Sequence, residues 1–222
     1  MMLFKKRAAI ATLAEAFPIE YRKELVALCR RMRFGVGGGD GACFALWKGR
    51  VCSREVSRWS LSSGEEINVP YRVSVGESLL GGRLGLTPTQ TTIYHCILSR
   101  SCDGYVRERH VRALLEGEAP EWAMPYVIKL CDEYVPEILQ AIYERLRTTD
   151  CTEYRRLCER NLELLRLSHS RMICYWSRFY RYECYRYRDW IGRRLYGECF
   201  GYRRTGQKNI DMTLTVRKEK QK

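Results

Sequence analysis

The sequence predicts a mainly α-helical protein with one small inserted β-hairpin. Apolar side chains recur at spacings of three and four over most of residues 88–199, which is the period of a helix with one buried face. Strand character is confined to residues 42–75, where apolar side chains alternate strictly from Ile67 to Val75. A chain of 222 residues with 45% hydrophobic side chains is long and apolar enough to bury a core of its own.

The pattern divides the chain into four parts. Residues 1–34 are predicted to form an N-terminal helix pair, and residues 35–86 to form glycine-rich links around the hairpin. Residues 87–200 are predicted to form a helical-repeat-like domain, and residues 201–222 a basic, disordered tail. The individual helices are predicted over residues 4–16, 19–33, 88–99, 104–116, 120–131, 133–147, 151–167 and 170–199.

Local signals define the hairpin and the first helix after it. The turn residues Ser62 to Glu65 lead the alternating strand back against residues 55–61, and Pro70 places that strand at a sheet edge. Thr87 and Pro88 then have the residue types of a helix N-cap and a first helical position.

One spacing occurs twice within residues 103–146. Asp103, Val106 and Leu114 are followed twenty-nine residues later by Asp132, Val135 and Tyr143. A period of this size is typical of stacked helical units, each too small to bury its apolar face alone.

These residues resemble a HEAT-type helical repeat. The matching positions are Asp103, Val106, Arg107, Ala113, Leu114, Pro120, Pro125, Leu130 and Asp132, with Asp132 at the start of the next unit. His110 and Pro136 depart from the family pattern. The resemblance implies a HEAT-like antiparallel helical stack, an architecture used more often to hold a partner than to perform chemistry. The alternative is an ordinary helical bundle in which two helix starts are alike by chance.

The charge favours an acidic partner. The formal net charge is +13, and arginines outnumber lysines by 30 to 9. Arginine offers a planar fork for phosphate or carboxylate and stacks on aromatic rings, so protein, RNA and DNA partners are all compatible with this composition. A GC-rich genome would produce the same arginine bias without any binding role.

Residues 171–204 contain the strongest candidate site. The segment has nine arginines and three acidic residues, a net charge of +6. On a helical wheel one face is apolar and is predicted to be core: Ile173, Trp176, Tyr180, Cys184, Tyr187, Ile191 and Leu195. The opposite face supplies the polyanion-binding candidates Arg171, Tyr175, Arg178, Tyr182, Tyr185, Arg186, Arg193 and Tyr196. The alternative is that these tyrosines pack on a neighbouring helix while the arginines extend into solvent.

The remaining motifs favour no metal, no cofactor and no enzyme. The weak metal candidates His95, Cys96, Cys102 and His110 match no known zinc spacing. The glycine run 35–41 lacks the preceding strand that a dinucleotide site needs. An enzyme acting on nucleic acid is therefore the weakest of the hypotheses.

Eleven cysteines without a CxxC pair indicate a reducing compartment, and no run of residues is apolar enough for a membrane span. We expect a cytoplasmic, non-enzymatic binding or scaffold protein for an acidic or protein partner. A nucleic-acid-binding accessory protein is the alternative.

Overall fold

A computed structural model of the chain describes residues 13–31, 56–73 and 85–202. These residues are mainly helical, with one two-stranded antiparallel sheet, as the sequence predicts. Most of the predicted helix 4–16, the glycine-rich run 35–41, nearly all of the second glycine-rich link 76–85 and all but the first two residues of the tail lie outside the described residues.

The helices follow one another with short connections. Over the described ranges the α-helices are α1 (Arg22–Arg31), α2 (Pro88–Leu98), α3 (Gly104–Glu116), α4 (Met124–Leu130), α5 (Pro136–Leu146), α6 (Thr152–Arg160), α7 (Leu162–Tyr175) and α8 (Ile191–Arg194). Short 3-10 turns occupy Ile19–Tyr21, Glu121–Ala123 and Tyr187–Asp189, and π-helical turns occupy Trp176–Tyr180 and Leu195–Cys199. None of the helices in this part of the chain combines the length and apolarity needed to cross a bilayer.

Two helix starts confirm the sequence signals. The Thr87 hydroxyl accepts a hydrogen bond from the Gln90 amide at 3.2 Å, and the Gln90 side chain accepts one from the Thr87 amide, which completes a capping box. The Asp103 carboxylate caps α3 by accepting from the amides of Tyr105 and Val106.

The predicted hairpin is present, and its second strand does not continue through Tyr71, Arg72 and Val73 as predicted; residues 74 and 75 of the predicted strand lie outside the described residues. Strands β1 (Val56–Ser60) and β2 (Glu66–Pro70) pair antiparallel, and Gly64 adopts a φ of 82° in the turn between them. The paired strand ends at Pro70, and the Pro70 and Tyr71 carbonyls accept hydrogen bonds from Arg100 at 3.1 and 2.5 Å. Val73 instead forms an isolated parallel bridge with Ser101.

The hairpin shares one core with the helices. Trp59, Ile67 and Val69 are almost completely buried and belong to the same apolar cluster as Ile93 on α2 and Leu139 on α5. A lone two-stranded hairpin is marginal in water, so this burial supports its fold.

Helix α5 begins later than the prediction of residue 133, and Asp132 does not open it. Val135 precedes the first residue Pro136 with an extended backbone, as proline requires of its predecessor. The Asp132 carboxylate is buried and lies 2.7 Å from the Lys129 ammonium. Asp132 therefore pairs with Lys129 and does not cap α5.

The two predicted C-terminal helices have the wrong boundaries. The chain breaks at Asn161, and α7 then runs through the predicted gap at residues 168–169. The predicted continuous helix 170–199 is wrong as well, because a loop followed by the short 3-10 turn Tyr187–Asp189 separates Tyr180 from Trp190. The Trp176 indole N–H donates to the Cys184 carbonyl at 2.9 Å, a contact that requires the chain to turn back on itself.

Candidate polyanion-binding surface

The apolar seam predicted for residues 173–195 faces the core, although no single helix carries it. Leu195 is fully buried. The other six members are partly buried and pack against the core: Ile173, Trp176, Tyr180, Cys184, Tyr187 and Ile191. The seam was predictable because each of these side chains is apolar enough to need burial, whichever helix or loop presents it.

The predicted opposite face divides into exposed, half-buried and buried residues. Arg178, Tyr182, Tyr185 and Arg186 are exposed, whereas Arg171, Tyr175 and Arg193 are partly buried. The prediction that Tyr196 faces solvent is wrong. It is fully buried, and its hydroxyl shares a hydrogen bond with Ser168. The helical wheel fails for Tyr196 because the buried face of this segment is wider than the predicted seam: Tyr196 and the adjacent seam residue Leu195 both lie in the core.

The exposed residues lie on what we call the basic loop, residues 178–188. Tyr182 and Tyr185 are 96% and 75% exposed, which is unusual for large aromatic side chains. Exposed arginines accompany them at positions 178, 181, 186 and 188, and the Arg181 guanidinium lies 6.0 Å from the centre of the Tyr185 ring. Glu183 is the one acidic residue between positions 178 and 188, so the loop is strongly positive.

Aromatic packing holds the base of the basic loop in place. The Tyr187 ring lies 5.0 Å from Trp176, and its hydroxyl is 3.0 Å from His169 Nε2. Tyr180 stacks on the buried Trp190 at 5.2 Å. The loop therefore extends from a rigid base, which limits the entropy lost when a partner binds.

A second exposed feature adjoins the loop. The rings of Tyr134, Tyr175 and Phe179 follow one another at centroid distances of 5.9 and 6.2 Å, and we call them the aromatic track. Tyr134 and Phe179 are each 53% exposed. Burial raises the pKa of Tyr175, and the neighbouring Tyr71 hydroxyl raises it further, so Tyr175 is protonated at neutral pH.

A buried ion cluster lies beneath the aromatic track. The Glu133 carboxylate, 1% exposed, contacts Arg72 at 2.7 Å, Arg107 at 2.8 Å and Arg100 at 3.3 Å. The adjacent Asp132 contacts Lys129 at 2.7 Å and, more distantly, Arg171 at 3.5 Å.

The described ion pairs of the cluster join five cations to two carboxylates. Backbone carbonyls of Tyr71, Ser101 and Cys102 accept further hydrogen bonds from Arg72, Arg100 and Arg107. Burial lowers the pKa of Arg100, with the neighbouring arginines adding to the effect and Glu133 opposing it.

This cluster was not predicted from the sequence, although one signal was present. On α3, Arg107 lies one turn before Val111 and two turns before Leu114, which places a charged residue on the buried face of the helix. A charge at such a position needs a buried partner. The sequence does not show that the partner is Glu133, because only the tertiary fold brings the two together.

The weak metal candidates do not form a site. The His95 and His110 rings meet at the interface of α2 and α3, with their Nδ1 atoms 2.7 Å apart. Cys96 is fully buried, whereas Cys102 is exposed. Over residues 13–31, 56–73 and 85–202, no group of three or more histidine, cysteine, aspartate or glutamate side chains is arranged to hold a metal ion.

Most cysteines of the described ranges lie in the core. Six of these nine cysteines are buried. Burial raises the pKa of Cys29 to about 12, so this thiol stays protonated and unreactive.

Comparison with known proteins assigns no family. No family model, no curated protein and no solved structure matches the chain.

Proposed function

We propose that the chain is a non-enzymatic binding protein that recognises an acidic partner through the basic loop, residues 178–188. The single observation that carries the proposal is the exposure of Tyr182 and Tyr185 among four exposed arginines. Arginine and tyrosine dominate the binding energy of protein surfaces, because they combine large contact area with hydrogen bonding.

The mainly helical body suits this role. The core holds the loop's base through Trp176, Tyr180 and Tyr187, so the exposed residues are presented in one arrangement. A HEAT-like stack would add extended grooves for a protein partner. That resemblance stays a prediction, as does a cytoplasmic location.

Nucleic acid is the second candidate partner, and a specific feature favours it. Aromatic rings can stack on the faces of nucleic-acid bases, and exposed arginines beside them can bind the phosphates of the same nucleic-acid strand. The basic loop has this composition, and the aromatic track adds further rings next to it.

Charge reversal tests the proposal. We expect the double variant Arg178→Glu and Arg186→Glu to lose at least tenfold in affinity for a mixed-sequence oligonucleotide or for polyglutamate, measured by fluorescence anisotropy in low salt. Arg156→Glu paired with Arg166→Glu is the matched control, because both arginines are exposed on other helical faces, at α6 and α7. Equal losses in both double variants would show that net charge alone drives binding, and the basic loop would then have no special role.

A further inference from the structure

We infer that the acidic partner is a single-stranded nucleic acid whose bases stack on the aromatic track of Tyr134, Tyr175 and Phe179. Its phosphates would contact Arg171 and Arg178. The inference rests on the proposed function and names the chemistry of the partner.

Helical spacing places the rings and charges together. Arg171, Tyr175 and Arg178 follow at intervals of four and three residues, so they share one face of α7 and its π-helical extension. Phe179 follows on the same side, and its ring stacks on Tyr175 with an interplanar angle of 24°. A nucleic-acid strand lying along this face would contact aromatic rings and positively charged side chains in turn.

The track is held in position before any ligand binds. The Tyr180 hydroxyl donates to the backbone carbonyl of Tyr134, and the Tyr180 ring stacks on the buried Trp190. Tyr180 therefore connects the Tyr134 end of the track to the core. Rings fixed in this way lose little conformational entropy when bases stack on them.

The cations of the buried ion cluster place positive charge next to the aromatic track. Of its five cations, Arg171 has the most exposed side chain at 31%, followed by Arg72 at 11%. The Asp132 oxygen that contacts Arg171 at 3.5 Å also contacts Lys129 at 2.7 Å. Asp132 raises the pKa of Tyr175 and Arg171 lowers it, which places this end of the track beside the cluster. The positive charge of Arg171 would attract phosphate there.

The chemistry favours a single strand over a duplex. Bases in a duplex are stacked on one another and expose only their edges, so rings outside the helix cannot reach their faces. A single strand exposes those faces, and every base has one, so binding should tolerate many sequences. A duplex or polyglutamate would use the arginines and leave the three rings without a role.

The test removes aromatic surface without changing charge. We expect Tyr134→Ala and Phe179→Ala each to weaken binding of a mixed-sequence single-stranded oligonucleotide by about tenfold. Phe179→Tyr should restore affinity, whereas Phe179→Leu should not, because leucine keeps the apolar area and loses the aromatic face. Tyr105→Ala is the control, since Tyr105 is 81% exposed on α3 and its removal should leave affinity unchanged.

The outcomes separate this inference from the proposed function. Wild-type affinity in both alanine variants, together with a large loss in the Arg178→Glu and Arg186→Glu variant, would overturn the base-stacking inference and leave the proposed function standing. Equal or tighter binding of a duplex of the same sequence, or of polyglutamate, would also overturn it. Absence of binding to all three probes would overturn both.

Discussion

The side-chain amide of Asn161 pairs with the backbone of Ser60 much as another β-strand would. Its oxygen accepts from the Ser60 amide at 2.8 Å, and its nitrogen donates to the Ser60 carbonyl at 2.9 Å. The same nitrogen also donates to the Leu157 carbonyl. Asn161 thus ends α6, begins α7 and fixes the hairpin to the helical body.

Substituting Asn161 should destabilise the whole fold. We expect Asn161→Ala to lower the free energy of unfolding by about 1–3 kcal/mol, because the half-buried backbone groups of Ser60 lose their partners. Asn161→Asp should be worse, since a carboxylate oxygen would replace the donor between two carbonyls. Urea denaturation measures both variants. Gln140→Ala, at an exposed position on α5, should change stability by less than about 0.5 kcal/mol; a similar loss there would contradict the special role of Asn161.

The Glu133 carboxylate should contribute more to the stability of the fold than any surface carboxylate. Glu133→Gln leaves Arg72, Arg100 and Arg107 without their shared counter-charge, and removal of one partner from a buried ion pair costs about 3–5 kcal/mol. Chemical denaturation would measure the loss. Glu144→Gln on the outer face of α5 is the matched control. A loss below about 1 kcal/mol for Glu133→Gln would contradict this role. It would indicate that hydrogen bonds to backbone carbonyls and water are enough to stabilise the buried arginines.

Stability should fall as the solution is acidified through the range in which histidine titrates. Burial lowers the pKa of His95 from 6.5 to about 4, and the nearby His110 adds to the effect. Between these values the unfolded chain binds a proton that the folded chain does not, so stability is lost as pH falls from about 6.5 toward 4. Partial exposure screens the effect, and we expect a loss on the order of 1–2 kcal/mol.

Thermal melts at stepped pH values would measure this dependence, with His95→Gln as the comparison. The variant should lose less stability than the wild type between neutral pH and pH 5. The two proteins would show the same pH dependence if His95 were as readily protonated in the folded state as in the unfolded chain.

Gly192 on α8 has no room for a side chain. An added Cβ would lie 2.6 Å from the Met172 sulfur and 2.7 Å from the Trp190 indole nitrogen. We expect Gly192→Ala to cost about 1–3 kcal/mol in unfolding experiments. Gly197→Ala is the internal control, because nothing lies within 4 Å of its Cβ position and alanine favours helix. Equal effects at the two positions would contradict the packing of α8 against α7.

The sequence predicted those features whose signals are local. The α3 boundaries, its Asp103 cap, the Thr87 cap and the hairpin turn each depend on a few adjacent residues, and all are confirmed. The apolar seam is confirmed for a similar reason, since side-chain polarity alone determines which residues need burial.

The features that were missed depend on distant partners. The break at Asn161 is stabilised by Ser60, about a hundred residues earlier, and the turn after Tyr180 by the indole of Trp176 and the ring of Trp190. Within the candidate site, Tyr182 and Tyr185 were assigned to the exposed face correctly. Tyr196 was not, because its burial depends on contact with Ser168, 28 residues earlier in the chain.

A salt titration tests the central claim, that the arginine-bearing surface binds a polyanion, most directly. The dissociation constant of a single-stranded oligonucleotide should rise steeply with salt, and the logarithmic slope should fall by about 0.7 for each phosphate contact removed by Arg178→Ala or Arg186→Ala. A wild-type affinity that does not depend on salt, or a slope unchanged in both alanine variants, would contradict the account.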